Sequence, residues 1–93
     1  MSEVQIRIND NKGAFYIEVE DKQEAMMTFV FAGEDKIIID HTEVNHGNEG
    51  KGFGKKMVLK SVEYAREKGI KIVPLCPFVK SFFDKTSEFR DVL

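Results

Sequence analysis

The chain has one cysteine, two prolines and no tryptophan among its 93 residues. A single cysteine, Cys76, cannot close an internal disulfide, so the fold must rest on its apolar core, and nothing points to an oxidising compartment. Neither sign of charge dominates: 14 Lys and Arg stand against 16 Asp and Glu, a net −2. Generic nucleic-acid binding needs a clear basic excess, so nucleic acid is not an expected partner. Apolar runs do not exceed four residues, against the roughly 20 needed to cross a bilayer, so no membrane partner is expected either. The opening "MSEVQIRIND" lacks the basic head and apolar stretch of a signal peptide. These absences point to a cytoplasmic protein, monomeric or weakly dimeric. Two histidines, one cysteine and scattered carboxylates have no ligand spacing, so no metal is expected.

What is present suffices for one compact domain spanning residues 1–93: the apolar fraction is 42%, with eight Phe and two Tyr. Val4, Ile6 and Ile8 alternate with polar residues and predict a half-buried strand. "NDNKG" reads as a turn, with Gly13 able to take a positive φ. Phe15, Ile17 and Val19 continue as a second strand. "AMMTFVFAG", apolar on both faces, is a third and central strand, with Met26 and Met27 in the core. "IIIDHTEV" is the fourth. Short connections make these four an antiparallel meander. After Val44 the period changes, and Phe53, Met57, Val58, Ser61, Val62 and Ala65 share one helical face that stops at Gly69. "IKIVPLC" predicts a fifth strand, returning parallel beside the fourth. Pro77 opens a short helix to about Lys85, with Phe78, Phe82 and Phe83 as its buried face. The tail "TSEFRDVL" is too short to add an element. The fold class is therefore α+β: a four-strand meander, a crossover helix, a parallel fifth strand and a short C-terminal helix.

The stretch "NHGNEGKGFGKKMV", residues 45–58, holds four of the seven glycines and three lysines. It joins a strand's C-terminal end to a helix N-terminus, where the first N–H groups lack intrahelical partners and the macrodipole is positive. Glycines there let a ligand approach the backbone, which makes an anion cradle suited to phosphate, with Lys51, Lys55 and Lys56 at its rim. A Walker loop is excluded: Glu49 stands where its first glycine belongs and Lys56 where Ser or Thr is needed. The dinucleotide fingerprint fails at Lys55.

The remaining match is R/Q-x-x-G-x-G/A, read here as Glu49-Gly50-Lys51-Gly52-Phe53-Gly54. Through this loop the chain resembles the GNAT-type acyl-CoA N-acetyltransferases. Through Cys76-Pro77-Phe78-Val79 it looks like their very small subfamily with C-P-x-V after the fifth strand. The resemblance covers nearly the whole chain in element order. It implies a GNAT-like fold and acetyl-CoA or coenzyme A as cofactor. The diphosphate would lie on backbone amides of Lys51, Gly52, Phe53, Gly54 and Lys55, in a loop that also includes Glu49 and Gly50. The fourth and fifth strands would splay, and the pantetheine arm would pair with backbone near Thr42, Val44 and Asn45. The chain departs from the pattern at Glu49, in place of Arg or Gln. It also lacks part of the acceptor-binding wall of larger relatives, and has Phe83 where they carry a Tyr that protonates the departing thiolate.

Cys76, as N-cap of the short helix, would feel its positive end, and a lowered pKa would follow. At about 8.5 only ~3% of a thiol is ionised at pH 7, and a drop of about one unit raises this to ~25%. His41 lies near the end of the fourth strand. With parallel neighbouring strands, His41 and Cys76 are expected at one mouth, a workable base and nucleophile. Three functions remain open at this level. The first is acetyl transfer to an amine, either directly or through Cys76. The second is a CoA-binding module with little turnover. The third, weaker, is an interaction domain using the basic loop. The acceptor amine is not encoded legibly.

Overall fold

The computed structural model describes residues 3–48 and 50–93. Five strands form one sheet: β1 (Val4–Asn9), β2 (Lys12–Val19), β3 (Lys22–Ala32), β4 (Lys36–Val44) and β5 (Lys71–Pro74), in spatial order β1-β2-β3-β4-β5. The first four pair antiparallel and β5 returns parallel to β4. Helix α1 (Phe53–Lys68) provides the crossover, and α2 (Pro77–Lys85) follows β5. This is the expected α+β arrangement, with β3 central.

The alternation in β2 to β4 sends Phe15, Ile17, Met27, Phe29, Ile37 and Ile39 to one face, each at most 1% exposed. Onto that face α1 lays Met57, Val58, Val62 and Ala65, and β5 and α2 add Ile72, Val79 and Phe83. Ser61 sits in the same apolar stripe because its Oγ donates to the Val58 carbonyl within the helix, 2.6 Å away. Gly69 ends α1 in the left-handed conformation, its N–H returning to Ala65 and Arg66 carbonyls.

Five details differ from the sequence expectation. The first hairpin turns at Asp10, with φ of 58°, and not at Gly13. Gly13 lies within β2, where a Cβ would stand 2.3 Å from the Phe29 ring. Met26 points to the opposite sheet face and is only half-buried, while Met27 is in the core. β5 is four residues long, because Pro74 has no amide to extend the ladder. In α2 the buried pair is Val79 and Phe83; Phe78 is 46% exposed.

The tail is also structured: Ser87–Val92 form a 3-10 helix that buries Val92. Arg66 fastens it, with Nε 2.9 Å from Asp91 Oδ2, Nη2 2.8 Å from Asp91 Oδ1, and a further bond to the Glu88 carbonyl. Among the described residues no helix is long and apolar enough to cross a membrane.

Candidate functional site

The site begins where β4 and β5 part. Their parallel pairing runs from Lys36 and Lys71 to Ile39 and Pro74 and stops there. The amides of Leu75 and Cys76 both donate to the Ile39 carbonyl, each at 3.0 Å, and turn the chain away from β4. At the same level β4 carries a bulge: Thr28 pairs with His41 and Phe29 with Ile39, leaving Asp40 as the extra residue. β4 then continues to Val44 with no strand on that side among the described residues. The Asn45 N–H donates to Glu24 across β3. By alternation, the backbone groups of Val44 and Thr42 therefore face the open side.

The bulge also resets which side chains face which way. Thr42 pairs with Met27 and Val44 with Ala25, so both share the core-facing, helix-covered side. His41 and Glu43 take the outer face. There His41 Nε2 lies 3.5 Å from Glu43 Oε2, and the His41 side chain is 59% exposed. The expectation that His41 and Cys76 point into one mouth treated the strand as unbroken. The structure does not bring them together, because the residue inserted at Asp40 rotates His41 away.

Thr42 occupies the place beside the sulfur. Cys76 Sγ is 3.2 Å from Thr42 Oγ1, and Cys76 is 6% exposed. Cys76 is the N-cap of α2 with Pro77 in the first turn. Burial alone pushes its thiol up. The Thr42 hydroxyl and the backbone N–H groups of Val79, Phe78 and Thr42 more than offset this, and hold the thiol below its ordinary range. No N–H at the helix start makes a full hydrogen bond to the sulfur. The amides act through their aimed dipoles.

The glycine loop ends at Gly52, the N-cap of α1, in the left-handed region with φ 76° and ψ 19°. Among the described residues no side chain caps the helix, and no acid lies in its first turn. The Lys51 amide donates within the loop to Asn48, and Lys56 donates to Gly52. The amides of Gly52, Phe53, Gly54 and Lys55 donate to none of the described residues. That is a row of aimed donors at the positive end of a 16-residue helix. Lys51 and Lys56 stand over the Phe53 ring, their Nζ atoms 5.9 and 5.8 Å from its centroid. Lys51 is further held by Asn48 Oδ1 at 2.9 Å.

One cavity of about 500 Å³ joins the donors to the open strand edge. Thr42, Val44, Asn48, Gly50, Gly52, Phe53, Gly54, Lys55 and Phe78 line it. An anion at the helix end with an extended arm along β4 suits this shape, since one wall is bare amides and the other an unpaired edge. Asn45 is turned elsewhere: its Nδ2 donates to the Gln23 carbonyl and to Glu24 Oε1, pinning the loop to β3. Glu49 lies outside the described residues. Asn48 and Phe78 line the cavity without being expected there. An Asn three residues before a Lys in a glycine loop is a usable signal for the first; the periodicity puts Phe78 in the core. Among the described residues no group of three or more His, Cys, Asp or Glu is placed to hold a metal ion.

A mixed sheet parted between its parallel strands, with a bare helix N-terminus at the opening, is the arrangement that the resemblance to the GNAT acetyltransferases implies. The sequence profile described as GCN5-related N-acetyl-transferase matches residues 14–92. The chain belongs to that family. A GCN5-like protein from Staphylococcus aureus, known in solution, matches at 39% identity and a TM-score of 0.73, over 99% of this chain and 89% of that one. An acetyltransferase from Bacillus subtilis in complex with CoA shares the fold at 16% identity and TM-score 0.69, over 91% of this chain and 74% of its own. The ribosomal-protein-alanine N-acetyltransferase of Brucella melitensis does so at 20% identity and TM-score 0.70, but the match spans only 64% of that chain. No curated protein matches the chain.

Proposed function

We propose that the chain is an acetyl-CoA-dependent N-acetyltransferase of the small subfamily marked by Cys76-Pro77-Phe78-Val79. The observation that carries this reading is the single cavity uniting the free amides of Gly52 to Lys55 with the free β4 edge at Thr42 and Val44. The amides would hold the coenzyme's diphosphate, with Gly50 giving backbone access and Lys51 and Lys55 adding charge. The edge would pair with the pantetheine amides, as a strand would.

Cys76 stands at the far end of that edge, which favours a two-step transfer. Its thiolate attacks the acetyl carbon, the bond from that carbon to the coenzyme sulfur breaks, and the coenzyme leaves as a thiolate that solvent protonates. An amine then attacks the acetyl-Cys76 carbonyl, returns the sulfur as thiolate and loses its extra proton to solvent. Thr42 stabilises the sulfur anion in both steps. His41 belongs to the direct route, as base for an amine that reaches the gap from the outer face.

A second reading, a CoA-binding module with little turnover, is favoured by the shielding of Cys76 and by the separation of His41 from it. Incubation with acetyl-CoA followed by intact-mass measurement separates the two. The enzyme reading expects one added acetyl group, lost in Cys76→Ser and consumed on adding an amine. Binding of acetyl-CoA with neither self-acetylation nor amine acetylation establishes the module. An amide-resonance titration in which CoA moves nothing between Gly50 and Lys56 overturns both.

A further inference from the structure

We propose that Phe78 is the wall against which the coenzyme's thiol arm lies, and that position 54 is glycine in order to seat that ring. This rests on the coenzyme reading above. Among the described residues, every other one lining the cavity comes from the stretch Thr42 to Lys55, and Phe78 alone closes it from the α2 side. Its ring is turned away from the buried face of α2, which is made by Val79 and Phe83, and remains 46% exposed. The part of the ring not in solvent rests on Gly54. A Cβ at Gly54 would stand 2.6 Å from Phe78 Cζ and 2.8 Å from Cε2, closer than side chains pack.

Gly54 differs in kind from its neighbours. Gly47, Gly50 and Gly52 have positive φ and open space where a Cβ would be. Gly54 has an ordinary helical backbone within the first turn of α1, where alanine would favour the helix. The Phe78 ring occupies the space a side chain would need. With the ring on Gly54, an apolar surface lies between the anion-holding amides and the β4 edge, on the path of a chain of methylenes and amides. Such a chain would cover the exposed part of the ring.

The test compares CoA with adenosine 3′,5′-bisphosphate, which has no arm, by calorimetric titration. Phe78→Ala should weaken CoA binding about tenfold, equivalent to about 1.4 kcal/mol, and leave the bisphosphate within about twofold. Gly54→Ala should weaken CoA binding by displacing the ring, yet cost nothing further when Phe78 is already Ala. Phe78→Leu, which keeps apolar bulk and protects the fold, should fall between wild type and Phe78→Ala. Equal loss for both ligands, unchanged or tighter CoA binding in Phe78→Ala, or additive losses in the double variant would overturn the proposal. Those outcomes leave wild-type CoA binding intact and so spare the coenzyme reading. Failure of the wild type to bind either ligand overturns both.

Discussion

Gly52→Ala isolates the backbone contribution of the loop. Gly52 adopts φ 76° and ψ 19°, a conformation that costs an L-residue roughly 1–2 kcal/mol. A Cβ there meets nothing within 4 Å. No neighbour can yield, and the cost is therefore strain alone. In a domain of this length each kcal/mol moves the melting midpoint by roughly 4–8 °C. The variant should therefore melt roughly 5–15 °C lower by circular dichroism. Gly52→Asn should lose less, because Asn tolerates this region better. A chain that escapes the strain by rotating Gly52 to negative φ would instead swing the amides of Phe53 and Gly54 off target. Stability would then recover, but affinity for adenosine 3′,5′-bisphosphate would fall. Strain and binding cannot both be spared. A Gly52→Ala protein with wild-type melting and wild-type bisphosphate affinity would refute the left-handed N-cap, and with it the aim of the amide row.

Three further outcomes are expected. Val92→Ala removes buried methyl groups from the 3-10 tail and should cost about 2 kcal/mol in urea unfolding; a loss under about 0.5 kcal/mol would mean that the tail is not part of the core. Thr42→Val should raise the Cys76 pKa, moving the pH profile of iodoacetamide alkylation upward, and an unmoved profile would remove Thr42 from the sulfur's environment. The sign for stability follows from the thiol lying below its ordinary range in the fold. Its contribution is complete above the unfolded-state pKa and is lost as pH falls through the lower folded value. Cys76→Ser should flatten the stability profile in that window.

Most of the architecture was readable from periodicity. Ile17, Phe29 and Ile37 occur at strand spacing and Met57, Val58, Ser61 and Val62 at helical spacing, and each set met one buried face. The errors fall where counting along the chain fails. Ile37, Ile39 and His41 alternate in the sequence, and only the bulge at Asp40 breaks the series in space. The Asp40 carboxylate, accepting from Thr28 Oγ1 at 2.7 Å, leaves no pattern that counting would detect. Helix α2 has too few turns for its phase to be fixed by composition, so three Phe outvoted Val79. Phe82, expected in the core, instead stacks on Phe89 of the tail with centroids 6.0 Å apart. The tail itself depends on Arg66 reaching Asp91 across 25 positions, a long-range ion pair that local propensity cannot announce. The bare amides at the end of the glycine loop were legible because they follow directly from where the helix starts. The ring on Gly54 was not, since it depends on two helices meeting.

The bulge links the fold to the candidate site. A regular β4 would turn His41 inward in place of Thr42. The pairing already ends at Ile39, where Pro74 closes β5, and the residue inserted at Asp40 decides which side chains line the open stretch beyond it. It also sets a hydroxyl, in place of an imidazole, against Cys76 Sγ. An imidazole at that spot would compete for the sulfur's proton as a base. A hydroxyl can only donate to or accept from it, so the thiol's acidity is governed by hydrogen bonds and helix dipole and not by a neighbouring titration. Whatever removes the amine's proton must then come from solvent, from the acceptor or from the outer face where His41 lies. A pH–rate profile that retains its shape in His41→Ala, with Cys76→Ser inactive, would assign the whole chemical step to the sulfur side of the sheet.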